Sequence, residues 1–117
     1  MSKQPNILVI QADQLTALCL NSYGTPFAKT PHIDKIAANG TVFTNTYCNS
    51  PVCGPSRASM MTGRLPSNVG VYDNAGEFLS SEPTYAHYLR MLGYQTSLVG
   101  KMHFVGPDQL HGFERRL

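Results

Sequence analysis

At 117 residues the chain is one domain at most, and a hydrophobic fraction of 42% is ordinary for a soluble globular protein. A net charge of +2, with nine basic residues that form no cluster of five, gives no ground for a nucleic-acid or membrane partner. No apolar run approaches a membrane span, and MSKQPNILVIQADQ has neither the apolar core nor the cleavage site of an export signal, so the expected compartment is the cytoplasm.

In chain order, residues 6–12, NILVIQA, form an apolar and β-branched run bounded by Pro5 and Asp13. That pattern predicts a strand buried on both faces, as in a parallel sheet. Thr30 and Pro31 open a helix, the first placed to cap it and the second suited to its first position. Ile33, Ile36 and Ala37 supply its apolar face and Gly40 ends it. Residues 42–47, VFTNTY, alternate in part and predict a second strand. A helix then starts at Pro55 or Ser56, runs through Met60 and Met61, both expected in the core, and stops at Gly63. Residues 64–82 are rich in Gly, Pro, Ser and Asn and read as a long ordered loop. Residues 84–92 read as an amphipathic helix closed by Gly93, with Tyr85, Tyr88, Leu89 and Leu92 facing the core. Residues 95–99 predict a third strand, and the chain beyond Gly100 reads as loop.

Strands alternating with helices imply an α/β fold with a mainly parallel sheet flanked by helices. In such folds ligands gather at the carboxyl ends of strands, where Asp13, Cys53, Lys101 and His103 fall. Three parallel strands are few, and the chain stops at HGFERRL with nothing to cover the last one. Residues 1–117 are therefore expected to be the front portion of a larger, incomplete domain.

Cys53 stands in CGPSR and leaves several readings open: buried filler, half of a disulfide, a metal ligand, a thiolate, or something made from a cysteine. Cys19, Cys48 and Cys53 are an odd number without an export signal, which argues against a disulfide framework. A zinc site lacks the paired short spacings, and a phosphatase loop needs more residues between cysteine and arginine. A helix start favours an anion, and Arg57 in the first turn can bring a cation towards it. Asp13 suits a hard cation such as calcium or magnesium, with Gln14 beside it. One carboxylate holds a divalent ion poorly, so further ligands are needed. Lys101 and His103 share a face if extended, one carrying fixed charge and the other able to pass protons. His32, His87 and His111 earn no role, the first two on helices and the last in a loop.

Together, a cation ligand, an anion-holding helix start, an arginine, a lysine and a histidine suit hydrolysis of a tetrahedral oxyanion ester, sulfate or phosphate. Here CGPSRASMMTGRLP resembles the sulfatase signature, NILVIQADQ the family's first strand with its metal aspartate, and LGYQTSLVGKMHF its Gly-Lys-x-His segment. QADQ, GVYDNAGEF and KMHFVGPDQLHGFE look most like the choline-sulfatase branch. The resemblance implies an alkaline-phosphatase-like fold, with residues 1–117 the N-terminal part of a sulfatase catalytic domain. It also implies that a maturation enzyme reads the motif in the unfolded chain and oxidises Cys53 to formylglycine. Hydrated, that aldehyde offers one hydroxyl to attack sulfur and a second to expel sulfate.

By the same resemblance Asp13 and residue 53 are metal ligands, for calcium above all, with magnesium or manganese as alternatives. Arg57 holds the diol, Lys101 bridges metal-site charge and sulfate, His103 orients or deprotonates the second hydroxyl, and Asn74 touches the sulfate. The implied partners are a small sulfate ester, the maturation enzyme, the remaining C-terminal part of the enzyme and further copies in a homo-oligomer. One departure stands out: Asp13-Gln14 occupies the place of two aspartates, which brings the sequence nearer to phosphonate monoester and phosphodiester hydrolases.

Overall fold

The computed structural model describes residues 4–117. They divide after Thr46 into two compact units, the second being Tyr47–Leu117. No helix among the described residues is long and apolar enough to cross a membrane.

In the first unit, the expected strand at residues 6–12 does not form a ladder, and its side chains are open, Leu8 at 83% and Ile10 at 80% exposure. The reason is physical: a strand apolar on both faces needs neighbours on both edges, and the ladder found among the described residues lies elsewhere. The expected second strand, residues 42–47, fails for the same reason. Two short 3-10 turns, Ala17–Cys19 and Asn21–Tyr23, come next, the second closed by Gly24 at φ 89°. Helix α1, Pro31–Asn39, has the predicted Pro31 start and Gly40 end. Thr30 occupies the cap position but makes no side-chain cap bond. Its hydroxyl instead donates to Asp34 Oδ1 at 3.0 Å and accepts from the Asn21 N–H at 3.3 Å. Asn21 Nδ2 donates to the other Asp34 oxygen at 3.2 Å, so one first-turn carboxylate gathers helix and turn.

The second unit carries the apolar core. Helix α2 is Cys53–Thr62, so it begins at the cysteine itself rather than at Pro55 or Ser56. Gly63 ends it in the left-handed conformation at φ 69°, its N–H reaching Ser59 O at 2.8 Å. Met61 is fully buried, a contribution of about 2 kcal/mol for a side chain of its size, whereas Met60 is partly exposed, correcting the expectation for it. Within the stretch read as loop, Pro66–Val69 forms a short helix α3, started by Pro66 and stopped by Gly70. Helix α4 is Tyr85–Met91. Its inward face is Ala86 with Tyr85 beside the core, while Tyr88 and Leu92 are exposed, contrary to the expected stripe.

Strand β1, Ser97–Leu98, is the middle of the predicted third strand. It pairs in parallel with β2, Arg115–Arg116, Ser97 lying opposite Arg115. Residues after Gly100 were expected to be loop alone; β2 corrects that, because the main chain at 115–117 satisfies its hydrogen bonds on Thr96 and Leu98. The α/β class with parallel pairing and helices stands.

Candidate active site

Cys53 is the first residue of α2 and is half-buried. The next N–H, that of Gly54, donates to Asn74 Oδ1 at 2.8 Å. Asn74 sits in a turn tightened by Asp73, whose Oδ1 accepts from the N–H groups of Ala75 and Gly76, both at 2.8 Å. A Cβ on residue 54 would lie 3.0 Å from Asp73 O and 3.3 Å from Asn74 Oδ1, so the turn packs close against the residue after the cysteine. Glycine suits that approach.

Arg57 is buried, only 5% exposed. Its Nη1 donates to the Lys101 carbonyl at 2.6 Å and lies 3.6 Å from Met102 Sδ. The arginine thus ties α2 to the segment after β1. In that segment Met102 and Phe104 point into the core, while Lys101 and His103 face out on the other side, as the alternation predicted. Lys101 Nζ lies 4.0 Å from Cys53 Sγ. His103 Nε2 is 3.0 Å from the Asn74 carbonyl oxygen. A carbonyl only accepts, so Nε2–H donates to it, and in the neutral ring Nδ1 is left as the acceptor. His103 also sits at φ 57°, a conformation that costs a non-glycine residue about 1 kcal/mol.

The second unit therefore gathers five residues singled out in the sequence: Cys53, Arg57, Asn74, Lys101 and His103. The Lys101 ammonium and the positive end of a ten-residue helix meet at a half-buried thiol, an arrangement suited to an anion. Gly54, Pro55 and Arg57, three of the five residues of CGPSR, are buried. Cys19, Cys48 and Cys53 are all free thiols, so Cys53 is not half of a disulfide.

Asp13 lies in a turn of the first unit, with Gln14 next to it at φ 55°. Among the described residues no group of three or more His, Cys, Asp or Glu side chains could hold a metal ion. Asp13 and Gln14 supply one carboxylate and one amide oxygen, fewer donors than a hard divalent cation takes. His111, given no role on sequence grounds, is wholly buried. It opens the HGF stretch after loop residues 105–110, where no periodic signal marks burial.

The sulfatase family model matches residues 5–115. Choline-sulfatase of Rhizobium meliloti (strain 1021) is 54% identical over 114 residues, covering 97% of this chain and 22% of its own length. A solved structure in complex with its substrate D-glucosamine-2-N,6-O-disulfate superposes with a TM-score of 0.91 at 36% identity, over 97% of this chain and 23% of that one. Phosphonate monoester hydrolase of Agrobacterium radiobacter gives 0.84 at 28% identity, over 96% and 25%. The chain spans only about a quarter of the length of these relatives, 22% to 25%. With a family model matched along nearly its whole length, the chain belongs to the sulfatase family.

Proposed function

We propose that the full-length protein hydrolyses a sulfate ester, choline-O-sulfate, through residue 53 after oxidation of Cys53 to formylglycine. The observation that carries this reading is the 4.0 Å approach of Lys101 Nζ to Cys53 Sγ at the start of α2. The thiol stands in for the oxidised side chain. When present, the hydrated aldehyde supplies an oxygen nucleophile and a route for releasing sulfate. Lys101 and the helix start bind the ester's negative charge beside it. The Asn74 amide fixes the first turn through Gly54 and borders the same space. His103, held by its Nε2–H on the Asn74 carbonyl, has Nδ1 available to take a proton from the reacting hydroxyl. Arg57 keeps Lys101 in register from below.

Asp13 is proposed as a ligand of a divalent cation, calcium in first place. The cytoplasm is proposed as its compartment, supported by three free thiols. A formylglycine-generating enzyme is the proposed maturation partner, supported by the intact CGPSR stretch.

The test combines peptide mass spectrometry with kinetics. Co-production with a maturation enzyme is expected to convert residue 53 to the aldehyde, and Cys53→Ala to abolish turnover. A thiol left intact beside a competent maturation enzyme, with full activity in Cys53→Ala, would remove residue 53 from the mechanism. A second reading, hydrolysis of phosphonate monoesters or phosphodiesters by the same group, is favoured by the Agrobacterium relative and by Gln14. It predicts that kcat/KM on an aryl phosphonate exceeds that on choline-O-sulfate. The first reading predicts the reverse, by at least about tenfold, or roughly 1.4 kcal/mol.

A further inference from the structure

His111 is sealed in the core of the second unit with none of its surface exposed, and neither ring nitrogen has a hydrogen-bond partner. Its ring stacks on Phe78, centroids 4.1 Å apart and planes at 19°, and meets Phe104 edge-on at 4.5 Å and 66°. The main chain around it is anchored on both sides. Its carbonyl accepts from Thr84 Oγ1 at 2.7 Å, and its N–H donates to Asp108 Oδ1 at 3.0 Å. His111 itself adopts φ 40°, so the corner is held in place rather than relaxed.

The rings it touches lie directly behind the site. Phe104 is the residue after His103 in the chain, and the Phe78 N–H donates to the Val105 carbonyl at 3.0 Å. The three rings thus form the floor of residues 102–105, whose outward side bears His103 beside Lys101. The charged and titratable groups around the imidazole are Asp108, His87 and Arg116. Asp108 Oδ2 is 3.6 Å from Nδ1, and the Arg116 guanidinium lies over the Phe104 ring at 5.8 Å. Burial pushes His111 below the ordinary histidine range against the pull of Asp108, and His87 pushes the same way.

We infer that His111 is a positioning residue for the reaction: packed neutral between Phe78 and Phe104, it holds the segment that presents Lys101 and His103. The inference rests on the reading of those two as site residues. Linkage gives the pH dependence its sign. The unfolded imidazole takes up its proton near the ordinary value of 6.5, before the buried one does. The packed state is therefore fully favoured above that pH and loses stability as pH falls from there towards the lower folded-state value.

In the full-length protein, amide exchange of residues 101–106 is measured from about pH 7.5 to about 5.5, corrected for the intrinsic exchange rate, beside kcat and KM. Wild type is expected to lose about tenfold in protection, with kcat falling and KM rising together. His111→Phe keeps an aromatic ring without a titrating group and is expected to hold its protection throughout. Equal acid-induced loss in wild type and His111→Phe overturns the inference. Should His111→Phe fail to fold, the Cε1 resonance of His111 in the wild-type protein decides. A midpoint below 6.5, shared with the loosening of residues 101–106, supports the role, and a midpoint at or above 6.5 refutes it. Exchange and resonance need no turnover, so they answer even if the protein proves inactive on sulfate esters.

Discussion

Arg57 Nη1 donates to the main-chain carbonyl of Lys101 at 2.6 Å, joining two residues 44 positions apart. The bond makes the register of the lysine depend on a buried guanidinium in the second turn of α2. Arg57→Ala would leave that carbonyl without this donor and open space in the core. The expected loss is about 2–3 kcal/mol in stability, read as a lower denaturant midpoint. Arg57→Lys is expected to recover little, because a compact ammonium does not reproduce the planar fork. A wild-type midpoint in Arg57→Ala would show that the bond contributes nothing to the fold.

Asp13→Asn keeps the shape of the side chain and removes its charge. In the full-length protein it is expected to lower bound divalent metal by elemental analysis and to slow turnover by at least about a hundredfold, roughly 3 kcal/mol in the barrier. Melting of the metal-free protein should change little. Full metal content with full activity would make Asp13 an ordinary turn residue.

Lys101 and His103 should separate kinetically. A sulfate ester is negative before and during reaction, so Lys101→Ala should raise KM and lower kcat together. His103→Ala should act on kcat, by about a hundredfold or more, with KM close to wild type. Equal effects of both variants on KM would mean that the histidine serves binding instead.

Gly112 and Gly63 both sit in the left-handed region, at φ 95° and 69°, but only one of them is crowded. A Cβ on residue 112 would fall 2.7 Å from the His87 nitrogen and 2.8 Å from its ring, whereas residue 63 has nothing within 4 Å. Gly63→Ala is expected to cost about 1 kcal/mol, the conformational penalty alone. Gly112→Ala should cost at least about 3 kcal/mol, since backbone must also move. Thermal unfolding of the two variants side by side checks the ordering.

The three longer helices were legible because their ends carry local chemistry. Pro31 and Gly40 bracket α1, Gly63 closes α2, and Gly93, at φ 86°, lies just past α4. The candidate site residues could be singled out as well, since each stands at or just beyond the end of an element or in a turn-rich loop. The short helix α3 was hidden in a stretch whose Pro, Ser, Asn and Gly content reads as loop. Strand β2 was hidden because two arginines carry no alternation; only the carbonyls of Thr96 and Leu98, which accept from the N–H groups of Arg115 and Leu117, make them a strand.

Residues 6–12 and 42–47 show the opposite error, sequences with strand character that form no ladder among the described residues. By itself the sequence determined the α/β class, the Pro31 start and the Gly40 and Gly63 stops of its helices, and which residues were candidates for the site, all of which depend on residue type and near neighbours. Only the tertiary structure decided that Arg57 grips the Lys101 carbonyl, that Asn74 holds both Gly54 and His103, and that His111 is buried. Hydrogen-bond partners and burial depend on which distant segments meet, and no local spacing records that.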